Sequence, residues 1–369
     1  MVRILLVSKL LSGGEKIGGQ YWFTLGLFTS LENAGFDVWL MHNSHNLYSK
    51  KNRDILLPYS LTRSDLTHLL FKTLLYPKVI KTIRPHIIHG VDESITNYMI
   101  FSNSIVKVAT VTDIIPIILP KLFSLRFRWA LRISISIMTK FCDKIIVISR
   151  SVAEDLVKIC KVPHSKIDIV YPSIDPIFRP MPKSFCQKIV KEKYSIKDPY
   201  ILYAGSAAPN KNVPRLLEAY RILHTQTSDK LSLVLTLITS PILIKGDDKF
   251  TLPKINRQDL PCVYGAAEAL VVPSLVDGFS LPAVEAMACG TPVIASDIPL
   301  FHEILGDAAL FVNPYKSSEI AEVIKSLIWN KELSYELRMR GLRQAKRYSW
   351  ENAIKKLASV YLGLLKDKF

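Results

Sequence analysis

Short apolar runs alternate with stretches of helical period along nearly the whole chain, an alternation that predicts parallel strands joined by crossover helices. In the first half, Val2–Ser8, Phe36–Met41, His86–His89, Val106–Val111, Lys144–Ser149 and Ile167–Val170 read as strands, and Gln20–Ala34 as a helix stopped by Gly35. Ser151 with Glu154 three residues on predicts a capping box opening a helix that ends near Lys161. The proline-rich Tyr171–Pro182 reads as a connection between two halves. A second series then places strands at Tyr200–Ala204, Leu231–Thr239, Glu268–Pro273, Pro292–Ser296 and Ala308–Val312, with helices at Asn212–His224 and Leu281–Cys289. Three helical segments, Ser317–Trp329, Glu332–Arg347 and Trp350–Lys366, close the chain.

With 369 residues, two domains are the natural expectation. Each half repeats one architecture without obvious sequence repetition. The predicted fold class is α/β, with two facing Rossmann-like domains and a cleft at the carboxyl ends of their sheets. The expected boundaries are 1–180 for the first domain and 181–348 for the second.

Composition narrows the function classes. Hydrophobic residues make up 49% and charged residues 22%, which describes large cores and excludes a disordered chain. A formal net charge of +16 calls for an anionic partner: a membrane surface, nucleic acid or a phosphorylated substrate. No zinc finger, RNP-like aromatic motif or helix-turn-helix is visible, so nucleic acid is not expected. The five cysteines are scattered and never form CxxC, and the histidines show no ligand spacing. No metal site is expected, and a reducing cytoplasm is. The first residues read as a buried strand and not as a signal peptide. No run reaches the ~18 apolar residues of a span, so any membrane contact is expected to be peripheral, on the inner face.

The chemistry gathers around three loops. The most specific is Asp277-Gly278-Phe279-Ser280-Leu281-Pro282, which follows the run Ala269–Pro273 and leads into a helix stopped by Gly290. A helix N-terminus aimed into a loop favours a phosphate. Glu285, about one turn in, is placed to accept hydrogen bonds from sugar hydroxyls beside it. The second loop, Gly205–Asn212, puts Lys211 directly before a helix with Asn212 as its candidate N-cap, where the ammonium can neutralise a diphosphate. Gly13–Gln20 is a third glycine-rich loop, without GxGxxG or P-loop spacing. His86 and His89 lie at a strand near the expected cleft, as core or surface residues or against an acceptor.

These stretches, with Thr110–Pro116, Asp143–Ser149, Val170–Pro180 and Gly306–Pro314, make the chain resemble the retaining family 4 glycosyltransferases of GT-B fold over nearly its full length. The resemblance implies roles. Glu285 would hold the nucleotide ribose, and Asp277 would lie near the donor sugar. Gly278, Phe279, Ser280 and Leu281 would offer backbone N–H groups, and Lys211 would stabilise the leaving diphosphate. Gly18, Gly19, Gly205, Thr112 and Asp113 complete the implied substrate contacts. No cofactor or metal is implied, only a nucleoside-diphosphate sugar as donor. Residues 349–369 would form a helix crossing back onto the first domain. Three positions depart from the family pattern: Asp277 where glutamate is common, Thr112 where histidine is common, and Ser206 and Asn210 where an arginine is often found. Leu231–Val263 is also abbreviated.

The expected function is transfer of a hexose, mannose or glucose in type, from a nucleotide sugar to a glycan or lipid-linked acceptor. The second reading is a degenerate GT-B subunit that binds nucleotide or a partner without turnover; a sugar-nucleotide epimerase is a third. The cationic, aromatic stretch Lys121–Arg132 reads equally as a solvated crossover helix or as a patch resting on anionic lipid. Leu66–Arg84 reads as core packing more than as such a patch.

Overall fold

The computed structural model describes residues 1–8, 19–42, 54–56, 77–91, 104–196, 199–226, 231–237, 250–251 and 255–368. They form two compact units: Met1–Ser173 with Trp350–Phe369, and Ile174–Ser349.

Unit 1 is built on seven strands, β1 (Arg3–Val7), β2 (Asp37–His42), β3 (Asp54–Leu56), β4 (Ile87–Gly90), β5 (Val106–Val111), β6 (Lys144–Val147) and β7 (Ile167–Ile169). Every pairing is parallel, in the order β3-β2-β1-β4-β5-β6-β7. All six residues of β5 are buried, as a parallel strand covered on both faces requires. Its helices are α1 (Gly19–Asn33), α2 (77–83), α3 (Ile115–Ile118), α4 (Leu125–Phe141) and α5 (Arg150–Cys160). The cap of α5 differs from the expected Ser151 box. Ser149 is the N-cap, its hydroxyl accepting from Val152 N at 3.2 Å, because Arg150 and Ser151 are already helical. Lys161 ends the helix in a left-handed conformation.

Unit 2 carries β8 (Tyr200–Gly205), β9 (Ser232–Leu237), β10 (Phe250–Thr251), β11 (Ala269–Val272), β12 (Val293–Ser296) and β13 (Ala309–Val312), again all parallel, in the order β10-β9-β8-β11-β12-β13. Seven helices accompany the sheet or follow it: α6 (Lys183–Tyr194), α7 (Val213–Gln226), α8 (Leu260–Ala266), α9 (Leu281–Ala288), α10 (Pro299–Leu305), α11 (Ser317–Trp329) and α12 (Lys331–Ala345). Chain order reverses between β8 and β11, the switch point outside which ligands bind in open α/β sheets.

The last helix, α13 (Trp350–Lys368), belongs to unit 1. Its Ile354, Leu357 and Tyr361 join Leu27, Phe28 and Leu31 of α1 in one core. Gly26 admits it: a Cβ there would lie 2.1 Å from the Trp350 ring. The boundary falls at 173/174 and not at 180/181. Ile174 N donates to Tyr348 O (3.1 Å), Asp175 pairs with Arg257 (2.9 Å), and Phe178 packs edge-on against Tyr264. From Ile174 on, the expected connector is thus built into unit 2.

Candidate active site

The loop after β8 is shaped by two residues with positive φ. Gly205 has φ of +152°, and a Cβ there would meet the Tyr203 hydroxyl at 3.1 Å, which itself donates to Ser206 O at 2.6 Å. After the turn Pro209–Lys211, Asn212 takes a left-handed conformation and directs the chain into α7. Its carboxamide is no helix cap, contrary to expectation. It donates to Pro273 O (3.0 Å) and Pro314 O (2.7 Å), tying this loop to those after β11 and β13. Asn210 adds a second tie: its amide donates to Val276 O (3.1 Å), and its own carbonyl accepts from Leu275 N (2.8 Å).

These ties bring Lys211 to Asp277, Nζ 2.6 Å from Oδ2. The pair is largely shielded, with side chains 24% and 9% exposed. Oδ1 of Asp277 accepts from Gly278 N at 2.9 Å, so both carboxylate oxygens are occupied. Phe279 turns inward against Tyr348, with ring centroids 5.2 Å apart, leaving only its backbone to offer. Ser280 is held at φ +70°, a strained conformation for a residue other than glycine, and no side chain caps α9. Pro282 in the first turn has no N–H to lose there. The N-terminus of α9 therefore opens onto the Asp277–Ser280 loop, whose Asp277 carries Lys211 from the loop after β8.

Glu285 lies one turn into α9, and its Oε2 accepts from the Tyr264 hydroxyl at 2.9 Å. Part of its surface is open, yet the carboxyl is enclosed enough for desolvation to push its pKa up to about 7. The Tyr264 hydrogen bond and the Arg257 charge pull it down, and Asp175 pushes it up. Burial raises the Tyr264 phenol well above its ordinary value. Glu285 therefore titrates near neutrality, where a small change in its surroundings changes its charge. Tyr264, Arg257 and Asn210 are contributors that sequence reasoning did not assign. Tyr264 is 21 residues from Glu285, and no spacing rule links them.

In unit 1, Gly19 is the first residue of α1, and Gly18 lies outside the described residues. Thr112 and Asp113 follow β5 at the carboxyl edge of its sheet. Asp113 Oδ1 accepts from Ile115 N at 3.0 Å, so this carboxylate shapes the turn into α3. His89 is a core residue, hydrogen-bonded to Thr110 (2.7 Å) and to Tyr361 (2.5 Å), and does not face a substrate. Unit 2 thus gathers Gly205, Lys211, Asp277, Gly278, Phe279, Ser280, Leu281 and Glu285 around one switch point, while Gly19, Thr112 and Asp113 belong to unit 1.

Residues 17–178 match the glycosyltransferase family 4 model, and residues 198–330 match that of glycosyl transferases group 1. The chain belongs to the family 4 glycosyltransferases. Among curated family members, it is 32% identical to O-antigen chain mannosyltransferase RfbU of Salmonella typhimurium, over 59% of this chain and 60% of that protein. It is 28% identical to O-antigen chain mannosyltransferase B of Escherichia coli, over 59% and 60%. The aligned part thus spans about three fifths of these relatives' length. Among solved structures, sucrose-phosphate synthase from Thermosynechococcus elongatus superposes with a TM-score of 0.80 at 20% identity, covering 100% of both chains. HepE from Anabaena, in complex with UDP and glucose, superposes with 0.78 at 16% identity, over 98% of this chain and 100% of that one. The fold of this glycosyltransferase-family chain is GT-B. No described helix is long and apolar enough to cross a membrane.

Proposed function

We propose that this chain transfers a mannosyl residue from a nucleoside-diphosphate sugar to a glycan or lipid-linked acceptor, with retention of anomeric configuration. The observation that carries the reading is the shielded Lys211–Asp277 pair at the mouth of α9, one turn from Glu285. The mannosyltransferase names of the relatives support mannose over glucose.

On this reading the ribose hydroxyls donate to Glu285, and the diphosphate lies against the N-terminus of α9 and Lys211. Charge builds on the leaving phosphate as the glycosidic bond breaks, and that oxygen takes the proton of the attacking acceptor hydroxyl on the same face. Lys211 and the helix dipoles stabilise the developing charge without reorganising, so the protein contributes positioning and electrostatics and needs no strong base. Asp277 holds the ammonium in place before donor arrives and aligns the sugar once the diphosphate shares the cation. Thr112 and Asp113 serve as sugar and acceptor contacts.

The same closed pair, together with Thr112 in place of histidine, favours a second reading, a subunit that binds nucleotide without turnover. Nucleotide release from a panel of GDP-, UDP- and ADP-sugars, with and without lipid extract, separates the two. Release from GDP-mannose that is stimulated by lipid and lost in Glu285→Ala is the expected result. Nucleotide binding with no release from any donor would establish the second reading instead.

A further inference from the structure

Helix α4 presents to solvent a face its role as a crossover does not require. Leu131, Ile135 and Met138 bury one side. On the opposite side Leu125, Trp129 and Ile133 recur every four residues and are 61%, 58% and 56% exposed. Phe127 and Leu122, near the helix start, are exposed as well. Arg126, Arg132 and Lys140 share the exposed face, and the helix has no acidic residue. Single exposed apolar residues are ordinary, but a run of this kind among cations is not.

Beside that face, between α4 and α5, lies a groove of ≈ 490 Å³ lined in part by Arg132, Ser136, Thr139, Lys140 and Lys161. Three cationic residues, Ser136 and Thr139 are among its lining, and none of its lining residues is acidic. Lys161 is presented by the left-handed end of α5. The groove has the chemistry of a phosphate site, and it adjoins an apolar ridge of which Trp129 is the largest side chain.

We propose that the exposed face of α4 and the α4–α5 groove dock this chain on an anionic phospholipid surface. Trp129 and Ile133 enter the boundary between headgroups and acyl chains, and Arg132, Lys140 and Lys161 hold lipid phosphates. Charge selects this occupant: with a net charge of +16, a second copy would bring like charges against the same cations, whereas an anionic bilayer neutralises them. A bilayer also accepts both halves of the feature at once, apolar ridge and phosphate groove, which a free phosphate does not. The inference rests on unit 1 alone and stands or falls separately from the transfer reaction.

The test is co-sedimentation of the full chain with phosphatidylcholine vesicles, with and without phosphatidylglycerol. Binding is expected only with phosphatidylglycerol and should weaken with added salt. Each cation near such a surface contributes about 1 kcal/mol, so Arg132→Gln with Lys140→Gln should weaken binding about thirtyfold. Trp129→Ala should weaken it about tenfold through lost apolar burial. Lys161→Gln, on the other wall of the groove, should cost about fivefold and keeps the test decisive should the double variant fail to fold. Equal binding to both vesicle types, or variants that bind like the parent, would overturn the proposal. So would a self-associated chain whose dimer is what Trp129→Ala removes, or inorganic phosphate filling the groove of a chain that ignores vesicles.

Discussion

Each unit holds a buried polar cluster beside its sheet, and the two are left in opposite states. In unit 1, His89 on β4 uses both ring nitrogens, one with Thr110 on β5 and one with Tyr361 on α13. Nothing of this cluster faces solvent, and desolvation lowers the imidazole to a pKa of about 3, so it stays neutral. In unit 2, Glu285 has one oxygen held by Tyr264, keeps part of its surface open, and titrates near 7. The first cluster is satisfied within the fold and pins the last helix to the sheet. The second has capacity left for a ligand. A buried polar group that is fully paired is a structural device; one enclosed but incompletely paired is where binding energy can be realised.

Breaking each cluster should therefore have different consequences. The largest effect is expected from Lys211→Ala, which on the proposed function removes the cation at the leaving diphosphate and should cut donor turnover by about 100- to 1000-fold. Nucleotide release from the preferred donor measures it. Tyr361→Phe leaves His89 short of a partner and should cost unit 1 about 1–3 kcal/mol in denaturant unfolding, with nucleotide affinity unchanged. Glu285→Gln should do the reverse, weakening nucleotide binding by about tenfold through loss of a charged acceptor.

The pH dependences have opposite signs and sharpen the contrast. Glu285 has a raised pKa in the folded chain, so unfolding releases its proton in the window between the ordinary 4.5 and about 7. Its contribution to stability therefore falls as pH rises through that window, and Glu285→Gln should remove the fall. Nucleotide affinity should follow the other course and weaken as pH drops below about 7, since the neutral carboxyl accepts hydrogen bonds less well. His89 has a lowered pKa, so the unfolded chain takes up a proton near 6.5 while the folded chain does not until about 3. Its contribution to stability is lost as pH falls through that range. Unfolding curves from pH 4 to 8 on His89→Gln and Glu285→Gln separate the two. The smallest effect is expected from Tyr264→Phe. Without that hydroxyl the Glu285 pKa rises further, and the midpoint for nucleotide binding in a pH titration should move upward.

Much of the fold was legible in one dimension. Val106–Val111 and Ser317–Trp329 have the expected limits, and most other strands and helices differ by only a residue or two. Periodicity of burial reports local geometry directly. The helix α6 and the short helices α8 and α10 were not anticipated, since each lies beside a proline that reads first as a breaker. The Asn212 cap failed for a different reason. An asparagine before a helix has a local use and a distant one, and the carbonyls of Pro273 and Pro314 claimed it.

The candidate site divides in the same way. Glycine turn, proline in the first helical turn and a glutamate one turn in are local facts, and they were enough to mark Asp277–Glu285 as a candidate phosphate and sugar element. The ion pair between Lys211 and Asp277, 66 residues apart, exists only because β8 and β11 are neighbours at the switch point. The Tyr264 hydroxyl reaches Glu285 because α8 packs against α9, and with it comes the enclosure that raises the carboxyl toward neutrality. The sequence by itself determined which backbone turns and side chains were available. The tertiary structure decided which of them meet and how far each is desolvated, because charge coupling and burial depend on distances through space that chain separation does not encode.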